Sequence, residues 1–194
     1  MLTSIRPAVV MIALFTALLG VAYPLAVTGV AQVAFPTQAG GSLVHNKAGA
    51  VVGSALIGQR FSEPVYLHPR PSAAGEGYDA SSSSGSNLGP LSPDLIARVQ
   101  RDADALRSEA AGRAIPADAV TASASGLDPD ISPAYAEFQI DRIATARGVP
   151  ADEVRQVIQQ HIKGRTFGVL GQPRVNVLLT NRALDARFAG AGAH

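Results

Sequence analysis

The chain of 194 residues has no cysteine, no tryptophan and only two lysines, Lys47 and Lys163. Without cysteine there can be no disulfide scaffold, no thiolate-bound zinc and no thiol nucleophile. No G-x-x-x-x-G-K-[ST] loop occurs, so the chain has no recognisable phosphate cradle of its own. No H-E-x-x-H pattern and no G-x-S-x-G elbow occur either. His45, His68, His161 and His194 are scattered. The most telling absence is local: Pro7 to Phe35 contains no Asp, Glu, Lys, Arg or His.

That uncharged stretch organises the chain. A bilayer core about 30 Å thick is crossed by roughly 20 helical residues. A single span must be helical, because lipid offers no partner to backbone N–H and C=O groups. Pro24 removes one donor and is expected to kink the helix. Gly20 and Gly29 give a face where another helix could approach closely. A cleaved signal peptide is the competing reading, with Gly29-Val30-Ala31 as a small-x-small site. Its apolar region would be about 7 to 15 residues, much shorter than this one. A soluble core helix would need polar groups that this stretch lacks. Arg6 and the amino terminus precede the span, which favours a cytoplasmic amino terminus under the positive-inside rule. The expected division is 1–36 as anchor and 37–194 as one extracytoplasmic domain.

Beyond the span, 15 basic and 15 acidic residues balance once Arg6 is set aside. No basic run appears, so nucleic acid and anionic headgroups are poor candidates as partners of this domain. Apolar residues make up 47% of the chain, enough for a core. Membrane lipid is the expected partner of the span alone.

Gly41 to Gly58 reads as strands or a hairpin, from short apolar runs bounded by glycine. Phe61 to Arg70 is extended, because Pro64, Pro69 and Pro71 oppose a helix. Ser72 to Pro90 is an irregular loop. Ser92-Pro93-Asp94 starts a helix that places Leu95, Ile96, Val99, Ala103, Leu106 and Ala110 on one buried stripe and ends at Gly112. Ile115 to Ser132 is a second irregular stretch. Ser132-Pro133 opens a helix with Ala136, Ile140, Ile143 and Ala144 inward, ending at Gly148. Pro150 opens a third, with Val154, Val157, Ile158, His161 and Ile162 on one face and Gly164 as stop. Val175 to Leu179 is the best strand candidate, followed by a helical turn from Asn181 to Arg187. The residues from Ala189 onward are expected to fray. Three helices and a few short strands make the fold class α+β.

Catalytic constellations are thin. Ser84, Ser86 and Asn87 resemble the second motif of penicillin-interacting enzymes, but S-x-x-K and K-T-G are missing. A membrane-anchored periplasmic serine hydrolase is the alternative function on that loop. Asp128 and Asp130 flank Pro129 and could hold a hard cation such as calcium. The simpler reading is that both are turn residues, with Asp128 capping. His161, on an apolar face, reads as a satisfied core or interface histidine.

Several segments together resemble a known family. They are Gly53 to Phe61 (GSALIGQRF), Arg70 to Ala73 (RPSA), Gly85 to Pro90 (GSNLGP), Thr121 to Pro133 (TASASGLDPDISP) and Arg174 to Asp185 (RVNVLLTNRALD). The helix carrying Gln139, Arg142 and Arg147 also fits. In this order after one amino-terminal span, the chain resembles the C subunit of the bacterial Kdp potassium-transporting ATPase. The stretch Tyr66-Leu67-His68 departs mildly, since an aromatic-rich version is expected there.

The resemblance implies a non-catalytic inner-membrane subunit. Its partners would be the P-type ATP-hydrolysing subunit and the channel-like potassium-translocating subunit. It implies a need for assembly and a role as catalytic chaperone, raising the ATP affinity of the hydrolysing subunit. No cofactor is expected on this chain alone; ATP and potassium act at the level of the complex. Gly85, Ser86, Asn87, Leu88 and Gly89 in one loop become docking candidates, with Ser125, Gly126, Leu127, Asp128 and Pro129 in the other. Asn176 and Asn181 flank a strand-to-helix junction and join the docking candidates, with a polar cap as their plain explanation. Glycines permit turns closed to other residues, and Ser, Asn and Asp can tie such turns to the backbone.

Overall fold

The computed structural model describes residues 4–189. The chain separates into two compact units, divided between Val52 and Gly53. The expectation for the carboxyl-terminal residues 190–194 lies outside the described residues.

The first unit begins with a continuous helix, Ile5–Ala34, long and apolar enough to cross a membrane and with none of its apolar window buried. It consists of α1 (Ile5–Phe15), π-helical turns over Thr16–Ala22, and α2 (Tyr23–Ala34). The π turns lie just before Pro24, and Tyr23 N–H donates to Leu18 O, five residues back. Proline lacks a donor and crowds the carbonyl four residues back, and a wider turn relieves both. Phe35 breaks the helix at φ −139°, as a residue before proline tends to do. A short α3 (Pro36–Ala39) follows, and then β1 (Leu43–His45) pairs with β2 (Val51–Ser54), the strand within which the units divide. Asn46 closes this hairpin: its Oδ1 accepts from Ala48 N–H and Ala50 N–H, both at 2.9 Å.

The second unit is α+β, as expected, with five α-helices among the described residues where three and a closing helical turn are read from the sequence. They are α4 (Pro93–Ala110), α5 (Pro133–Phe138), α6 (Ile140–Arg147), α7 (Ala151–Gln160) and α8 (Val177–Arg187). β3 (Asp130–Ile131), β4 (Ile162–Lys163) and β5 (Arg174–Asn176) form an antiparallel sheet in the order β3-β5-β4. Ile131 and Ile162 both register with Val175, the fully buried centre of this sheet. The inward residues Ala136, Ile140, Ile143 and Ala144 are all buried, with Val154, Val157 and Ile158 of α7.

Four expectations shift. The helix from Ser132 to Gly148 is two helices, broken at Gln139, whose buried amide turns to the chain at His68. The third helix ends at Gln160 rather than Gly164, and Ile162 enters β4 and is exposed. The strand near Val175 stops at Asn176. Its Oδ1 accepts from Leu179 N–H at 3.1 Å, and this cap starts α8 at Val177 against the β preference of the residues that follow. On α4 Ala110 alone is fully buried; Leu95, Val99, Ala103 and Leu106 are half-buried and Ile96 is 59% exposed, so the stripe is only partly covered.

The extended segment Pro64 to His68 has its backbone held by side chains. Arg142 Nη1 donates to Pro64 O (2.6 Å) and Tyr66 O (3.0 Å), and Arg147 Nε donates to Val65 O (2.7 Å). Asn181 takes Leu67 N–H (2.7 Å) and gives to Leu67 O (3.0 Å). Gln139 does the same for His68, at 2.7 and 3.1 Å. These amides replace a neighbouring strand, which satisfies buried backbone groups that cannot be left unpaired. The strap delivers Arg70 and Ser72 to the loops that follow.

Candidate functional site

The two irregular stretches meet. Gly85 lies so near the second loop that a Cβ there would sit 2.7 Å from Ala124 O. Gly126, at φ +67°, would place a Cβ 2.7 Å from both Ala74 N and Ser84 O. An L side chain is strained at that φ and has no room in that space. The loops are sewn together by serines. Ser72 Oγ donates to Gly126 O at 2.6 Å and accepts from Tyr78 N–H at 2.8 Å. Ser83 Oγ donates to Ser125 O at 2.9 Å. Ser125 Oγ accepts from Leu127 N–H at 3.1 Å, a local turn. Gly58 N–H donates to Leu127 O at 2.8 Å, tying in the segment before the strap.

Charge completes the frame. Arg70 Nη1 pairs with Asp128 Oδ2 at 3.0 Å, and Asp128 Oδ1 accepts from Asp130 N–H at 3.0 Å, the expected turn role. Arg174 Nε pairs with Asp130 Oδ2 at 3.0 Å. These residues line an open cleft of about 610 Å³ with Asp118, Thr121 and Ser132. Each carboxylate of the Asp-Pro-Asp pair already faces an arginine. Among the described residues, no group of three or more His, Cys, Asp or Glu could hold a metal ion. Tyr78 donates from its hydroxyl to Arg70 O at 2.6 Å. Burial, and then the Asp128 charge, push its phenol above the ordinary range, so it stays a neutral donor.

The candidate residues thus fall into three groups. Gly85 and Gly126 lie at the contact between the loops, Leu127 and Asp128 are tied to Gly58 and Arg70 beside it, and Ser86 and Pro129 are half-buried. Asn87, Leu88, Gly89 and Ser125 are exposed on the outside of it. Asn87 holds φ +50°, a left-handed turn that asparagine tolerates. Asn176 is a cap, as its plain reading has it, and also donates to Ala55 O (2.9 Å) and Asp130 Oδ1 (3.2 Å). Asn181 is no cap: it is buried and bound to Leu67. Ser72 and Tyr78 are not among the candidates that the sequence marks, although they tie the loops. The RPSA segment holds Ser72, but a serine's fixed partner lies 54 residues away, beyond any local pattern.

The hydrolase reading needs a serine activated by a base. Ser84 Oγ donates to Gly85 O at 3.0 Å. The described ring bonds of His68 and His161 go to carbonyl oxygens, Glu63 O at 3.1 Å and Val157 O at 2.8 Å. His161 itself is half-exposed at the end of α7, not in the core.

Comparison with known proteins covers nearly the whole chain. Residues 5–186 match the family model described as "KdpC: K+-transporting ATPase, c chain". The chain is 65% identical over 188 residues to the potassium-transporting ATPase KdpC subunit of Caulobacter vibrioides, covering 97% of this chain and 95% of that one. To the same subunit of Beijerinckia indica it is 58% identical over 190 residues, covering 97% and 96%. To that of Myxococcus xanthus it is 56% identical over 190 residues, covering 96% and 88%.

Proposed function

Because the chain belongs to the KdpC family of K+-transporting ATPase c chains, we propose that it is a non-catalytic, membrane-anchored subunit of a potassium-pumping complex. The helix Ile5–Ala34 anchors it in the inner membrane, with the amino terminus cytoplasmic and the second unit outside. Its partners are the P-type ATP-hydrolysing subunit and the channel-like potassium-translocating subunit. The observation that carries this reading is the interlocked loop pair. Gly85 and Gly126 allow a backbone approach that serine hydroxyls then fix, leaving Asn87, Leu88 and Ser125 on a preformed exposed face. A face ordered before binding loses little entropy on docking.

Assembly is the first role of this face. The second is to raise the ATP affinity of the hydrolysing subunit, without a nucleotide site on this chain. A domain outside the membrane acts on cytoplasmic ATP through linkage: it binds one conformation of its partner better and shifts that equilibrium. No cofactor is required on this chain for that; ATP and potassium act on the complex.

The test is purification of the tagged chain in mild detergent from potassium-starved cells, with potassium-stimulated ATPase assayed. A P-type ATPase and a channel-like subunit should co-purify, and the activity should be lost when this chain is deleted. Recovery of the chain alone, from cells shown to express the pump, overturns the reading.

A further inference from the structure

In the hairpin that joins β4 to β5, every residue from Ile162 to Pro173 is exposed. At its tip Phe167 is 90% exposed, Val169 71% and Leu170 59%. Water-facing apolar side chains are ordinary singly, but three at one protruding turn mark a contact site. The turn is nevertheless well formed. Thr166 N–H donates to Leu170 O at 2.9 Å and Leu170 N–H to Thr166 O at 3.0 Å. Gly168 N–H donates to Arg165 O (3.1 Å) and Val169 N–H to Thr166 O (3.3 Å).

We propose that this tip is a lipid-contact finger, inserting Phe167, Val169 and Leu170 at the headgroup boundary of an anionic bilayer. Three observations select lipid. First, the N–H groups of Thr166, Gly168, Val169 and Leu170 are spent on carbonyls of the same turn. Entry into a poorly hydrogen-bonding medium is costly for unpaired backbone and much less so for a closed turn. Second, the charge around the tip has one sign. Ile162 to Pro173 contains Lys163 and Arg165 and no Asp or Glu, while Arg174 beyond it is already paired with Asp130. The balance of 15 acids against 15 bases over the whole domain conceals this local excess. Cations flanking an apolar tip are the pattern of interfacial segments, where the cations meet lipid phosphates and the apolar groups enter. Third, an anchored chain always has a bilayer at high effective concentration, so a weak finger suffices. On this last point alone the inference rests on the membrane-anchored reading.

The chain lacks tryptophan, so Phe167→Trp makes a single-indole protein. The full-length variant is reconstituted in vesicles of phosphatidylcholine and phosphatidylglycerol, with and without brominated acyl chains. The expected result is blue-shifted emission that bromine quenches. Vesicles without phosphatidylglycerol, or the added Lys163→Gln and Arg165→Gln changes, should weaken the quenching. A matched Gln156→Trp, on the exposed face of α7, should stay unquenched. Water-like, unquenched emission from the tip overturns the proposal, and so does equal quenching at both positions. A blue shift without quenching, seen only in the purified complex, also overturns it and assigns the tip to a protein groove. Co-purification of the ATPase subunits is read separately, so either idea can fail while the other stands.

Discussion

Asn181 binds both backbone polar groups of Leu67, although 114 residues separate them. Both residues are buried, Leu67 completely and Asn181 to 1% exposure. Replacement by an apolar residue of similar size strands an N–H and a C=O together. Each buried unpaired group costs about 1–3 kcal/mol. Asn181→Leu is therefore expected to cost about 3 kcal/mol, which lowers Tm by roughly 10 °C for a domain of this size. Thermal unfolding followed by circular dichroism measures it. Asn176→Ala loses a helix cap and two further bonds, and should also destabilise.

The two glycines of the GSNLG turn should behave differently. A Cβ on Gly85 meets Ala124 O at 2.7 Å, whereas one on Gly89 meets nothing within 4 Å. Gly85→Ala must push the loops apart, and should cost about 1–3 kcal/mol as overpacking does. It should also reduce recovery of the partner subunits in the pull-down. Gly89→Ala should stay within about 0.5 kcal/mol of the parent and assemble normally. Equal effects of the two would mean that the loop contact does not organise the docking face.

How far the sequence carried can be seen at particular residues. The long apolar helix, the starts of α4, α5 and α7 and the stop at Gly148 follow from local chemistry: no charge in one stretch, Ser-Pro or Pro at helix starts, and glycine at φ +65°. The end of β5 does not, because Val177 to Leu179 favours a strand until Asn176 caps a helix. The exposure of Ile96 on α4 is hidden for a different reason. Periodicity marks Ile96 as apolar-face but cannot say whether any element covers that face. Long-range ties such as Ser72 to Gly126 have no local signature at all.

Arg142 and Arg107 both form carboxylate pairs, and their removal should separate buried from exposed pairing. The Arg107–Asp104 pair joins side chains 70% and 50% exposed. Such pairs are worth about 0–1 kcal/mol. Arg142 pairs with Glu109 at 3.0 Å, both side chains at 17% exposure, and also bonds Pro64 O, Tyr66 O and Gln139 Oε1. Arg142→Lys keeps the charge but loses the planar fork that reaches these partners together. It should cost about 2–4 kcal/mol, since bonds to charged groups are worth about 1.5–3 kcal/mol each. Arg107→Lys should be nearly silent in the same unfolding assay.

The strap also predicts a pH dependence. Burial first, and the Arg142 charge second, hold the His68 imidazole below its ordinary 6.5. The Glu63 carbonyl and the Glu109 carboxylate oppose this without reversing it. The folded state therefore binds fewer protons than the unfolded state between the folded value and 6.5. Stability rises with pH wherever the unfolded state holds more protons. The contribution is complete above about 6.5 and is lost as pH falls toward the folded value, below which both states are protonated. Urea unfolding at successive pH values from neutral downward should show falling stability before the carboxylates titrate. His68→Gln keeps a polar side chain without a titrating proton, and should flatten that part of the curve. Because Gln139 holds His68 through its backbone, at 2.7 and 3.1 Å, the strap itself should survive the change. A parent curve that is already flat from pH 7 to 5 would show that the imidazole is not held neutral by its surroundings.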